Sequence, residues 1–525
     1  MNPAAAWSPG RRRDGRPRGR RLHFLLAAVL GALTVLGFAP FYQPWIALLC
    51  LAALFSLWAA VSTPRQAAAV GFAFGLGLFG AGVSWVYISL HAFGGMPVAL
   101  AVIATAGFCA LLGLFPALLG FLQAAVPVGP ALRFTLLVPG LWVVLEWVRS
   151  WLFTGFPWLA LGYSQVPDSP LAALLPVLGV YGASLAAATL SGCAATVMLA
   201  LAGPLRIGLP GTAGAVIVAA AVLGGALWSA QLSFTTPSGP PVAVSLLQGN
   251  VPQEMKWRPE RARETLERYL GLARRARGKL VILPETALPV YLGSIPDEYW
   301  DALTEGVRAR GGDVLVGVPE RGPGASEYFN SAVSRGASPP QIYRKVHLVP
   351  FGEFIPPGFG WVNSILKIPL SDFSRGAAFQ QPLAIAGERV AVNICYEDAF
   401  GEEIIRQLPD ATLLANVTNV AWFGDSLALS QHLQISQARA LETGRTMLRT
   451  TNTGVTALIG PDGRVRASLP KHTTGVLEAR AQGYQGETPY VRWGNAAVLG
   501  LAVALIAFPL LVRPRSPTGG ARQYP

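Results

Sequence analysis

The sequence predicts a polytopic α-helical membrane domain of eight spans, with an α/β domain inserted before the last span. Three observations carry this expectation. First, the 525 residues are 52% hydrophobic and only 13% charged, against roughly 25% charged in an ordinary soluble protein. Second, the apolar residues are clustered: between His23 and Pro240 the only Lys or Arg are Arg65, Arg133, Arg149 and Arg206, and the only acids are Glu146 and Asp168. Third, from Pro241 to Tyr490 the composition is that of a globular domain, so two regions of different solvent, lipid and then water, share one chain.

The first element is a basic tail, residues 1–21, with seven Arg and one Asp. Seven apolar stretches follow, at 22–39, 45–62, 67–90, 98–126, 134–152, 170–202 and 207–231, and an eighth lies at 494–512. Each approaches the roughly 20 apolar residues that cross a bilayer, with tilt or a re-entrant end expected in the longer ones. The connections at Arg65, Arg133 and Arg206 carry positive charge; those at 40–44, 91–97 and 153–169 carry no Lys or Arg. That alternation puts the basic loops and both termini in the cytoplasm, residues 232–493 outside, and the Arg-bearing tail 513–525 back inside. A basic segment before an apolar core also describes a signal peptide, but no small-x-small cleavage site follows the first stretch, which reads as an uncleaved anchor.

The net charge of +13 sits mostly at the two termini, where residues 1–21 carry +6 and the tail after Val512 carries +3. A nucleic-acid footprint would lie on the folded domain instead, so no nucleic-acid partner is expected. Cys50, Cys109 and Cys193 lie in apolar stretches and Cys395 is alone in the soluble block, which leaves no disulfide framework there. The five histidines are scattered and no HExxH, P-loop or EF-hand pattern occurs, so neither metal nor cofactor is expected.

Two membrane motifs need a reading. Gly75, Gly77 and Gly80 spell GxGxxG, but mid-span and without a preceding strand they read as small residues that let helices approach closely. Glu146 and Arg149, three apart in the fifth span, read either as an ion pair or as a lipid-headgroup contact.

In the soluble block, Pro241–Gln248, Leu280–Leu283, Val314–Val318, Arg389–Ile394, Thr412–Ala415 and Gly454–Ile459 read as buried strands. Pro259–Ala276 and Leu429–Gly444 read as amphipathic helices, the second closed by Gly444 as a C-cap. Strands alternating with helices give an α/β sandwich.

Glu285, in LPETALP, follows the strand KLVILP at once, where α/β folds often line a site; alone it reads as a solvated loop acid. Cys395, in VNICYED, ends the strand RVAVNI, and is either a small core residue or a nucleophile at a strand–helix turn. Lys345, in YRKVHLVPFGE, alone reads as one surface lysine among many. Jointly, a carboxylate base, a fixed cation and a lone thiol are the parts of acyl transfer through a thioester.

In this order and with these neighbours, the three elements resemble the nitrilase superfamily over residues 241–483. Gln248-Gly249-Asn250 leading to Lys256-Trp257, and PFGE at Pro350–Glu353, strengthen the likeness. With seven spans before and one after, and with GFAP at Gly37–Pro40 and GFPW at Gly155–Trp158, the whole chain resembles the apolipoprotein N-acyltransferase family. The resemblance implies a nitrilase-like α-β-β-α sandwich for residues 232–493. It implies Glu285 as general base, Lys345 as oxyanion stabiliser and Cys395 as nucleophile, with Trp257, Glu353, Tyr396 and Glu397 at further functional positions. It also implies ping-pong transfer of a fatty acyl chain from a membrane phospholipid, through a Cys395 thioester, to the N-terminal amine of a diacylglyceryl-cysteine apolipoprotein. The chain is then expected to act as a monomer in the bacterial cytoplasmic membrane.

Both substrates live in lipid. The apolar loop residues Phe351, Phe354, Ile355, Phe359, Trp361, Ile365 and Leu366, with Trp422 and Phe423, accordingly read as lipid-facing lids or portals rather than domain core. Two rivals remain: a membrane-tethered amidase or hydrolase in which water takes the acyl group, and a polytopic transporter or sensor in which Cys395 is dispensable.

Overall fold

The computed structural model describes residues 17–203, 207–253, 259–324, 327–360 and 372–512. Trp257, Trp361, Ile365, Leu366, Arg206, most of the N-terminal basic tail and the tail from Arg513 lie outside the described residues.

The membrane region is helical throughout: α1 (Pro17–Thr34), α2 (Pro44–Ala60), α3 (Pro64–Gly82), α4 (Val98–Ala125), α5 (Val138–Arg149), α6 (Leu175–Ala202) and α7 (Leu209–Ser229). Among the described residues, four helical segments are long and apolar enough to cross a membrane, at Val98–Ala125, Pro130–Arg149, Pro170–Ala202 and Leu209–Ser229. A fifth is formed if Pro64–Gly82 and Val86–Phe93, bent by 58°, count as one span. The first, second and last apolar stretches of the eight make shorter helices, Arg21–Gly37, Pro44–Ala60 and Ala496–Leu511. The shortening of α2 has a local cause: Val61 is already extended, Thr63 caps the next helix by accepting from Gln66 N–H, and Pro64 opens it.

The glycines of GxGxxG meet neighbouring backbones. A Cβ on Gly75 would lie 2.6 Å from Gly113 Cα of α4, and one on Gly77 would overlap Ala28 of α1, whereas Gly80 faces open space. Two of the three therefore set close helix packing. Neither sequence reading of Glu146 and Arg149 anticipated their main-chain contacts. Both are buried, and both grip main chain: Arg149 Nη1 donates to the carbonyls of Phe156 (2.6 Å) and Trp158 (2.7 Å), and Glu146 Oε1 accepts from Trp142 Nε1 and Leu161 N–H (each 2.8 Å). The pair staples the GFPW loop onto α5.

After α7 the chain forms two sheets, ordered β12-β1-β2-β3-β4-β5 and β11-β10-β9-β8-β7-β6. The first contains β1 (Thr235–Gln248), β2 (Leu280–Ile282), β3 (Asp313–Arg321), β4 (Tyr328–Gly336), β5 (Gln341–Arg344) and β12 (Gly475–Gly486). The second contains β6 (Leu383–Ile385), β7 (Glu388–Ile394), β8 (Leu413–Thr418), β9 (Thr446–Thr451), β10 (Ala457–Ile459) and β11 (Val465–Ser468). Alternate residues explain the layers. Val244 and Leu246 of β1 meet Val392, Ile394, Ala415 and Val417 of the other sheet. Leu247, facing the opposite way, packs with Tyr269 and Leu272 of α8 (Pro259–Arg275) and Leu303 of α9 (Asp297–Arg308). The outer face of the second sheet is covered by α10 (Leu427–Thr443), through Leu433 and Ala440 against Leu414 and Met447.

The expectation of an amphipathic helix at 429–444 needs correction. Gly444 does close α10 in the left-handed region, but every residue from Gln431 to Thr443 is buried. The reason is a second partner: Ala428, Leu429, Ile435, Ala438 and Leu441 join the core of the membrane helices. Polar side chains on α10 bond across that contact. Gln431 Oε1 accepts from Trp85 Nε1 (3.2 Å) and Trp158 Nε1 (2.8 Å), and Gln434 accepts from Ala39 N–H and donates to the Val166 carbonyl. The last helix, α11 (Ala496–Leu511), follows β12.

Candidate active site

Strands β1, β2 and β3 are parallel, as are β7, β8 and β9. Their carboxyl ends are where a parallel sheet presents loops to a ligand. Glu285 follows β2, Asn419 follows β8 and Cys395 follows β7, while Lys345 leaves the end of β5. Folding thus gathers residues that are far apart in sequence.

Glu285, Lys345 and Glu353 form one buried cluster. Lys345 is 1% exposed, and its Nζ lies 2.8 and 2.9 Å from the two Glu353 oxygens but 3.4 Å from Glu285 Oε1. Asn330 Nδ2 donates to Glu285 Oε1 (2.7 Å) and Glu353 Oε1 (2.8 Å), and the Asn419 N–H donates to Glu285 Oε2 (2.8 Å). Glu353 is the closer ion-pair partner of Lys345. Burial pulls Lys345 toward its neutral form, but Glu353, Glu285 and then Cys395 outweigh it and hold its pKa above the ordinary lysine value.

Cys395 opens a single helical turn directly after β7, with φ +55°. Burial, then the charge of Glu285, push its thiol up to about 12, against the lowering pull of Lys345. A resting thiolate is therefore not available at neutral pH, and attack needs a base that takes the proton as the bond forms.

Glu397 joins the two halves of the site. Its Oε1 accepts from the Val346 (2.6 Å) and His347 (3.1 Å) N–H groups, next to Lys345; its Oε2 accepts from Ile394 N–H (2.6 Å) and Tyr343 OH (3.1 Å), next to Cys395. One carboxylate holds the cation-bearing chain against the thiol-bearing turn. Burial pushes that carboxyl up to about 7, with the Ile394 N–H, Lys345 and the other N–H groups opposing. Tyr396 turns toward the membrane helices: its OH donates to the Gly155 carbonyl (3.0 Å) and its ring stacks on Trp158 at 6.3 Å. His347 Nε2 lies 3.0 Å from the Thr154 carbonyl. The loop gripped by Glu146 and Arg149 is thus one wall of the site.

Trp422 is half-buried. Its carbonyl accepts from Ser89 Oγ (2.8 Å) and its ring meets Phe93 edge-on at 6.1 Å, while Phe423 packs on Trp85 at 4.7 Å. Phe351 joins an apolar cluster with Met96, Tyr87 and Leu90, and Phe359 is 44% exposed. Sequence reasoning missed Asn330, Asn416, Asn419 and Arg449. The available signal was a polar residue inside an apolar strand, as in YFNSAV and LLANVT, where Asn is disfavoured unless its amide bonds something. Among the described residues, no group of three or more His, Cys, Asp or Glu side chains is placed to hold a metal ion.

Residues 30–193 match the family described as apolipoprotein N-acyltransferase N-terminal domain, and residues 243–490 match the carbon-nitrogen hydrolase family. The apolipoprotein N-acyltransferase of Nitrosomonas europaea is 50% identical over 491 residues, covering 92% of this chain and 96% of that protein. The proteins of the same description from Chromobacterium violaceum and Ralstonia nicotianae are each 45% identical, covering 94% of this chain and 94% and 95% of theirs.

Proposed function

The chain belongs to the apolipoprotein N-acyltransferase family, and from that premise we propose how its residues carry the acyl transfer to a lipoprotein amine. Cys395 Sγ attacks the ester carbonyl of a membrane phospholipid. Glu285 takes the thiol proton and passes it to the departing glycerol oxygen, so an S–C bond forms as the C–O bond breaks and a lysophospholipid leaves. The N-terminal amine of the diacylglyceryl-cysteine acceptor then attacks the thioester. The N–C bond forms, the S–C bond breaks, and Glu285 carries the amine proton back to sulfur. Lys345, with the backbone N–H of Tyr396, steadies each oxyanion. Glu353 and Glu397 hold Lys345 in place, Tyr396 ties the site to the GFPW loop, Trp422 belongs to the binding wall, and Trp257 and Trp361 serve substrate binding.

The observation that carries this reading is the buried Glu285–Lys345–Glu353 cluster with Cys395 in its field. Glu285 lies in that cluster close enough to Cys395 for its charge to act on the thiol, which is what a proton acceptor for it requires.

In the same reading all eight apolar helices cross the bilayer, residues 232–493 face outward, and the protein works as a monomer in the cytoplasmic membrane of a bacterium. Two observations support this topology. β1 and β12 are antiparallel neighbours, so entry to and exit from the sandwich lie side by side, as an insertion between two spans requires. Trp45, Trp151, Trp228 and Trp493 are exposed at helix ends that the alternation puts on one side, as an interfacial aromatic belt would be. The acyl chain enters beside Phe351 and Phe359, where the site's loop meets the apolar segment around Met96.

Incubation of the purified protein with phospholipid and a diacylated lipopeptide tests the assignment. The expected products are N-acylated lipopeptide and lysophospholipid, both absent with Cys395→Ala. Free fatty acid without acylated peptide would instead favour hydrolysis.

A further inference from the structure

Behind Cys395 lies a second buried polar cluster, one that the acyl-transfer steps do not use. Asp398, Asn416, His432, Ser436 and Arg449 come from the turn after β7, from β8, from α10 and from β9, and none is more than 1% exposed. Two of them reach the backbone of the nucleophile: Asn416 Nδ2 donates to the Cys395 carbonyl at 3.1 Å, and His432 Nε2 lies 3.3 Å from the same oxygen.

The other members fix how those two donors point. Arg449 Nη1 donates to Asn416 Oδ1 at 2.8 Å, so the amide must turn its NH2 toward Cys395. Asp398 Oδ1 sits 2.7 Å from His432 Nε2, which requires that nitrogen to carry the hydrogen. Asp398 Oδ2 accepts from Ser436 Oγ and from Arg449 Nη1 (3.2 Å), and Ser436 Oγ accepts from Arg449 at 2.7 Å. Burial alone would raise the Asp398 pKa, but His432, Arg449 and Ser436 hold it below the usual carboxylate range. The cluster is ionic and fully buried, with His432 Nδ1 and Arg449 Nε and Nη2 left without a hydrogen-bond partner.

Its target is a strained position, since φ at Cys395 is +55°, a region that side-chain-bearing residues hold only when their surroundings impose it. In a planar trans peptide, the carbonyl and the following N–H point opposite ways. We propose that this cluster positions the oxyanion amide: by pulling the Cys395 carbonyl to one side of the Cys395–Tyr396 peptide, it turns the Tyr396 N–H to the other, toward the oxygen of the carbonyl under attack. Asp398, Asn416, His432 and Arg449 are positioning residues that touch neither substrate. The inference rests on Cys395 being the nucleophile.

The test uses the full-length protein in detergent micelles, with variants Asn416→Ala, His432→Leu and His432→Gln. Two rates are compared: acylation of Cys395 by phospholipid, and alkylation of Cys395 by iodoacetamide, a displacement that builds no oxyanion. Loss of an oxyanion donor slows reactions by about 10²–10³-fold. A misaimed donor should cost Asn416→Ala and His432→Leu roughly 10–10²-fold in acylation, with the phospholipid KM and the alkylation rate changed by less than about threefold. His432→Gln, which keeps a side-chain N–H, should recover most of the acylation rate. The pair at position 432 decides the matter if Asn416→Ala does not fold. Acylation at the wild-type rate in the two donor-removing variants would overturn the inference, and so would alkylation that falls in parallel with acylation. A wild-type protein that forms no acyl adduct would overturn the nucleophile assignment beneath it instead.

Discussion

A non-glycine residue in the left-handed region costs on the order of 1–3 kcal/mol, so Cys395 at φ +55° is held there by its neighbours. Glu397 grips the Ile394 N–H before it, while Asn416 and His432 grip its own carbonyl. The same burial that fixes the turn keeps the thiol protonated, with a pKa pushed up to about 12. A raised pKa favours the neutral form, so reactivity toward iodoacetamide should still be climbing between about pH 9 and 10, where an ordinary thiol of pKa about 8.5 has begun to level off. A plateau near neutral pH would contradict this. At the cation, Lys345→Met should lower acylation by about 10²–10³-fold, the usual loss for an oxyanion donor. Glu353→Gln should also slow it, because Lys345 would lose its closer carboxylate partner and with it its fixed position; a steady-state assay with lipopeptide reads both. Glu285, Lys345 and Cys395 could be picked out from their motifs. The Asn419 backbone N–H that orients Glu285 could not, because every residue carries that donor and only the fold decides where it points.

Among the elements, α10 couples the two halves of the molecule. It reads as an ordinary amphipathic helix, because its Gln, Ser and Arg residues look like a solvated face. In the folded chain Gln431 and Gln434 bond backbone and indoles of the helical region instead, Ser436 bonds Asp398, and Arg439 pairs with Glu442. Gln431→Leu keeps the volume but orphans the buried Trp158 N–H, whereas the Trp85 N–H and the Gly82 carbonyl still bond each other. At about 1–3 kcal/mol for an unsatisfied buried group, the variant should lose on the order of 1–3 kcal/mol and melt a few degrees lower in detergent. An unchanged melting temperature would show that the contact carries no stability. The parallel strands other than β9 were legible as apolar runs because both of their faces are buried. Strands β4 and β9 were not, since YFNSAVSRG and TMLRTT put polar residues at buried positions where only tertiary partners explain them. Helix lengths were overestimated at α2 because hydropathy ignores the cap at Thr63 and Pro64.

At the scale of the molecule, composition alone separated the lipid-like from the water-like part of the chain. What it could not supply was their contact, since nothing in GFPW says that Gly155 and Trp158 will meet Tyr396 across 241 and 238 positions of sequence. That contact puts the turn bearing Cys395 next to the apolar helical region. The central claim is a fatty acyl group carried on one sulfur. Intact-mass measurement of the purified protein after incubation with phospholipid tests it most directly. The expected result is one fatty-acyl mass added at Cys395, absent in Cys395→Ala and discharged by a diacylated lipopeptide. An unmodified Cys395 in a preparation that still acylates the lipopeptide would contradict it.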